Sequence, residues 1–210
     1  MPDGSQDRTR KGRKYDQVLA GAREVFLAAG FDGASVDDIA RAAEVSKATL
    51  YSYFPDKRIL FLEVARVECL RQADTVLATI DREAPVALVL THIGHQIVEF
   101  ITSAFGQQIF RICVAEAARF PEVGREFYDS GPMLACRELS AVFEEAIARG
   151  ELRIDDLHLA AHQFQELCKA DIFPKLVFGI AETFTEAEKA RVVDGAVATF
   201  LARYGTAQAR

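Results

Sequence analysis

Among 210 residues there is no tryptophan, and there are only two methionines and four cysteines. Cys69, Cys113, Cys136 and Cys168 are far apart and form no CxxC pair, which excludes a dense disulfide framework and the paired spacing of a zinc finger. A long apolar run is missing as well. The longest charge-free stretch, Ala84 to Val98, falls short of the roughly 18–20 residues a membrane span needs, and it contains His92, His95 and Gln96. Arg23 and Glu24 interrupt what would be the core of a signal peptide, so no membrane partner and a cytoplasmic location are expected. Nucleophile elbow, phosphate-binding glycine loop, HExxH and dinucleotide fingerprint are all absent; no enzyme and no cofactor are expected. After Pro85 no alternating strand pattern occurs, which points to an all-α chain.

Half of the residues are hydrophobic, enough for a folded core. The net charge of −6 argues against nucleic acid until its distribution is considered. Residues 1–60 hold ten Lys/Arg and nine Asp/Glu, whereas the remainder holds 15 and 22. Arg8, Arg10, Lys11, Arg13 and Lys14 crowd together near the start. Such a basic cluster on an acidic protein is a local footprint for phosphate.

Residues 1–13 show no apolar periodicity and read as a flexible basic arm. From Lys14, the spacing of Val18, Leu19, Ala22, Val25, Phe26 and Ala29 predicts a helix that Gly30 terminates. In the stretch ASVDDIARAAEVSKATLYSYFPDK, from Ala34 to Lys57, Ser35 and Asp38 make a capping-box variant that starts a helix at Val36. Ile39, Ala42 and Ala43 form its expected apolar stripe. Ser46 caps a second helix, with Leu50 and Phe54 facing inward together, and Pro55 stops it. Two helices this short need neighbours to be stable. Their size and separation are those of a helix-turn-helix, whose second helix enters a DNA major groove. Asp56 caps a long helix through Leu60, Val64, Val67, Leu70 and Leu77, and further helices follow, about nine in all. The domains expected are the arm, a DNA-binding domain over 14–56, and a ligand-binding and dimerisation domain over 57–210, which helix four joins to it.

The stretch SVDDIARAAEVSKATLYSYFPDK, with VFLAAGF before it, strongly resembles the TetR family of bacterial transcriptional regulators. RICVAEAARFPEVGREFYDSGP and VVDGAVATFLARYG are more weakly similar to the AefR-like ligand domain of that family. The resemblance implies an all-α homodimer that binds double-stranded operator DNA and a small-molecule effector, with the effector releasing a repressor from a palindromic site. An effector-independent dimeric regulator is the alternative, and a helical enzyme the more distant one. By resemblance, Lys47, Ala48 and Tyr51 read bases, while Thr49, Tyr53 and Lys57 contact phosphate; Ser35 and Ser46 complete the expected DNA-binding set. Glu44 stands at the turn where family members often have glycine, so a left-handed non-glycine residue is expected there. The pocket is expected around His95, Phe100, Phe110, Cys113, Glu116, Phe127, Phe143, His162 and Phe164.

His158, His162 and Glu166 follow one another at helical spacing and are able to share a face. With no cysteine nearby in sequence, a solvated face is expected there and no metal. The last helix shows a broad apolar face of Val192, Val193, Ala196, Val197, Phe200 and Leu201, with Gly195 and Thr199 as small positions. That face is expected to pair with the Asp156–Lys169 helix across a two-fold dimer interface.

Overall fold

The computed structural model describes residues 4–209, without the side chains of 4–11, 72–74, 76 and 77. Its eleven helices are α1 (Gly4–Gly33), α2 (Val36–Ala42), α3 (Lys47–Tyr53), α4 (Lys57–Thr79), α5 (Val86–Thr102), α6 (Ala104–Ala117), α7 (Pro121–Ser130), α8 (Pro132–Ala148), α9 (Leu157–Leu167), α10 (Phe173–Val177) and α11 (Glu186–Tyr204). Among the described residues there is no strand, only an isolated bridge between Leu152 and Gly205. The excess over nine comes partly from α10, a five-residue helix with proline in its first turn. Residues 1–3 of the expected arm lie outside the described residues; from Gly4 the backbone is already helical. Arginine, lysine and glutamine are good helix formers, so charge alone does not stop α1 from extending backwards. Gly30 breaks α1 with φ of 70°.

The chain divides into two compact units, and the division does not fall at residue 57. One unit comprises 1–68 and 108–127, the other 69–107 and 128–210. In the first, Phe26, Ile39, Leu50, Phe54, Leu60 and Phe61 are buried between α1, α2, α3 and α4. Two expected stripes are corrected. Ala40 rather than Ala42 joins Ile39 and Ala43 inside. On α4 the inner face is Leu60, Phe61, Val64 and Ala65, whereas Val67 and Leu70 are exposed and the Leu77 side chain lies outside the described residues. Both are shifts of about one position, within the freedom that a 100° step allows when neighbouring positions are also apolar.

The second unit is built on α5, α8, α9 and α11. Phe200 of α11 stacks on Phe143 of α8 at 5.0 Å and meets Phe164 of α9 edge-on at 5.4 Å. Val192, Val193, Ala196 and Val197 are buried in this same core. The apolar face of α11 is thus occupied within its own chain, which corrects the expectation that it pairs with a second copy. One helix packed on both α5 and α9 uses the whole of a broad stripe. The opposite face of α11 exposes Gly195, Ala198, Thr199 and Ala202. No single helix among the described residues is long and apolar enough to cross a membrane.

Candidate nucleic-acid interface

The interface is built on α2 and α3, each started by a serine. The Ser35 hydroxyl accepts the Asp38 N–H at 3.0 Å and donates to the Asp38 carboxylate at 2.5 Å. That hydrogen bond, and then Arg41 at 2.9 Å, hold the Asp38 carboxyl below its ordinary range. The cap itself is Ser35, and the Asp38 carboxylate holds the capping hydroxyl and Arg41. Ser46 accepts the Thr49 N–H at 3.1 Å, and the two hydroxyls lie 2.9 Å apart. Between these helices Glu44 takes φ of 52°, the left-handed turn expected of it. Its N–H donates to Arg41 O and that of Val45 to Ala40 O, so the turn closes despite the missing glycine.

Leu50 and Phe54 are almost fully buried, which turns the opposite side of α3 outward. Lys47, Ala48, Tyr51 and Ser52 are exposed there, Tyr51 with 48% of its surface free. Lys47 pairs with Asp37 of α2. Both partners are more than half exposed, so solvent screens the pair and leaves Lys47 free to exchange partners. Thr49 is half-buried, its hydroxyl turned toward Ser46.

Two of the expected phosphate residues also carry structural duties. Tyr53 packs edge-on against Tyr15 at 5.8 Å, and Tyr15 lies against Phe54 at 5.3 Å. The Tyr15 hydroxyl donates to Glu63 at 2.7 Å, and Glu63 accepts two bonds from Arg66. Burial and the Glu63 carboxylate push the Tyr15 phenol up to about 12. The Lys57 ammonium donates to Phe31 O at 2.8 Å and Ala34 O at 3.0 Å, and sits 4.3 Å above the Phe31 ring. Two of its three protons are thus spent on the α1–α2 junction.

Several supports were not singled out by the sequence. Tyr15 is one; it lies one turn before Val18 and could have been found by extending the α1 stripe backwards. Gly21 is another: a Cβ there would meet Ala43 N at 2.4 Å, so α1 and α2 cross almost backbone to backbone. Arg23 grips the buried Glu68 with bonds of 2.5 and 3.1 Å, tying α1 to α4. The Gln108 side-chain carbonyl accepts the Phe31 N–H at 3.1 Å, and Glu116 pairs with Arg58 at 2.9 Å. Both lie on α6; no local pattern announces Gln108, and Glu116 was expected at the pocket instead.

The expected pocket residues are divided between the two units. Phe110, Cys113, Glu116 and Phe127 belong to the first unit, and His95, Phe100, Phe143, His162 and Phe164 to the second. Phe143 and Phe164 have no exposed surface and fill the core around Phe200, so as pocket residues they are withdrawn. Glu116 serves Arg58. His95, Phe100, Phe110, Phe127 and His162 are half-buried and Cys113 is buried.

The family of bacterial regulatory proteins called tetR matches residues 18–64, and the AefR-like transcriptional repressor C-terminal domain matches 88–206. Among known proteins, the uncharacterized HTH-type transcriptional regulator YdeS of Bacillus subtilis is 30% identical over 152 residues, covering 69% of this chain and 73% of its own. A TetR-family regulator from Mesorhizobium loti has a solved structure that superposes with a TM-score of 0.81 at 28% identity, over 94% of this chain and 99% of that one. The structure of the Flavonoid-responsive Regulator FrrA is 33% identical with a TM-score of 0.67, over 93% of this chain and 99% of that one.

Proposed function

The chain belongs to the TetR family of DNA-binding transcriptional regulators, and from that premise we propose that it is a dimeric repressor released from a palindromic operator by a small-molecule effector. The observation that carries the proposal is the outer face of α3. Small or reaching side chains stand where Leu50 and Phe54 leave the helix exposed, a shape that lets the helix approach base edges closely. Lys47 exchanges Asp37 for a guanine edge, and the Ala48 methyl and Tyr51 ring meet thymine methyls. Ser35, Ser46, Thr49, Tyr53 and the remaining proton of Lys57 approach the backbone phosphates, which fix the register.

In the dimer, the small exposed residues Gly195, Ala198, Thr199 and Ala202 of α11, with Leu159 and Gln163 of α9, face their copies. Two recognition helices then lie roughly 34–36 Å apart, one turn of DNA. The effector occupies the AefR-like domain and favours a spacing that no longer fits. Because FrrA is named as flavonoid-responsive and aligns along nearly the whole chain, planar aromatic molecules are the first effector class to try.

Fluorescence anisotropy on labelled promoter fragments, with and without a metabolite panel, tests the proposal. The expected result is tight, salt-dependent binding to one inverted repeat, weakened by one class of compound. Binding that no compound alters would leave the effector-independent regulator as the better reading.

A further inference from the structure

The helix α9 carries His158 and His162 one turn apart, and α8 packs beside it with Cys136. The Cys136 Sγ lies 3.4 Å from His158 Nδ1. This sulfur and one ring nitrogen from each histidine all fall within 4.8 Å of one another. The two imidazoles meet edge to face, with centroids 4.6 Å apart, and the His162 ring lies parallel to Tyr128 at 6.5 Å. Cys136 is buried, His162 half-buried and His158 exposed, so the cluster has an apolar floor and an opening to solvent.

We infer that Cys136, His158 and His162 form a binding site for a borderline-soft divalent transition-metal ion of the zinc class. One thiolate and two imidazoles are the donors such an ion selects over carboxylate or carbonyl oxygen. On binding, the ion replaces the Cys136 thiol proton, which leaves to solvent, while both imidazoles bind through unprotonated nitrogens. Zinc bonds of roughly 2.3 Å to sulfur and 2.0–2.1 Å to nitrogen place the two donors about 3.5 Å apart in a tetrahedron. The Sγ to Nδ1 separation already matches this. Histidines at i and i+4 on one helical face are a spacing that zinc proteins use. A modest swing of the half-buried His162 ring completes the triangle, since the final torsion of histidine is soft.

The carboxylates nearby on α9 are engaged elsewhere. Asp156 caps the helix by accepting the Leu159 N–H at 2.9 Å, and Glu166 pairs with Lys169 at 2.6 Å. Water therefore takes the fourth position, reached from the exposed side of His158. The site needs nothing from the DNA-binding reading, and it shares only His162 with the residues expected at the effector pocket.

The test uses cobalt as the probe. Full-length protein is stripped of metal by dialysis against a chelator and titrated with Co2+, following absorption. The expected result is one Co2+ per chain, with the charge-transfer band of a cobalt–thiolate bond, bleached on adding Zn2+. Cys136→Ser abolishes the band, and Cys69→Ser leaves it unchanged. A titration with no thiolate band, or a band that survives Cys136→Ser, overturns the site. Because Cys136 is buried and its variant can lose the fold, His158→Ala is the second arm. That exposed substitution keeps the helical circular dichroism and weakens Co2+ binding at least about tenfold, as loss of a ligand requires. Unchanged affinity in His158→Ala also overturns the site.

Discussion

Tyr15 shows how much one side chain binds together in the reading head. Its ring packs on both Tyr53 and Phe54, and its hydroxyl reaches Glu63 on α4. With the phenol raised to about 12, the protonated form is favoured in the folded protein. An unfolded tyrosine titrates near 10, so this contribution to stability is complete below about pH 10 and is lost between there and about 12. Ultraviolet titration is expected to show one of the five tyrosines ionising near 12, a component missing in Tyr15→Phe. Glu44 presents the opposite situation, a residue whose conformation opposes its neighbours' gains. Relief of its left-handed strain makes Glu44→Gly stabilising by up to about 1 kcal/mol, visible as a rise in thermal midpoint; a fall would show that the turn carries no strain. Gly21→Ala forces α1 away from Ala43 and is expected to cost about 1–3 kcal/mol in denaturant unfolding. Of these three, only the Glu44 turn was expected, from the place where family members often have glycine. A turn is dictated by its own residues, whereas Tyr15 and Gly21 matter through partners far along the chain.

At the scale of the element, the proposed reading face of α3 lies opposite the side that Leu50 and Phe54 bury. Tyr51→Ala is expected to relax base preference at one position per half-site, measured by binding to a set of operator variants. Lys57→Ala is expected to lower the slope of binding against salt by about 1 and to lower the thermal midpoint as well. The second effect follows from its bonds to Phe31 O and Ala34 O. A lowered midpoint with an unchanged slope would make Lys57 a strut only. Helix ends were the most legible part: Ser35, Ser46 and Asp56 act where local chemistry places them. Helix faces were less so. The stripe on α11 announced that it must be covered, and its period could not say whether by the same chain or by another. Likewise His158 and His162 were visible as a pair, but the sulfur beside them comes from α8, and a sequence pass along α9 does not reach it.

Over the whole molecule, the charge that looked wrong for a DNA-binding protein is segregated, with the basic cluster at the head of α1 and the acidic excess beyond residue 60. The dimer is the matching proposal at this scale. Sedimentation is expected to give twice the 23.2 kDa chain mass, and Ala198→Arg, on the exposed face of α11, is expected to return it to one. A wild-type protein sedimenting as a single chain would remove the paired reader.

The chain passes from one compact unit to the other within α4, again within α6 and again within α7. A reading head assembled from two separate lengths of chain cannot be exchanged by one splice. Grafting only the first 68 residues onto a relative's effector domain leaves Arg58 and the Phe31 N–H to whatever the host's α6 supplies in place of Glu116 and Gln108. The support of the N-terminal helices is therefore inherited with part of α6 and α7. A transplant that respects this architecture moves 108–127 along with the head, as two pieces or not at all.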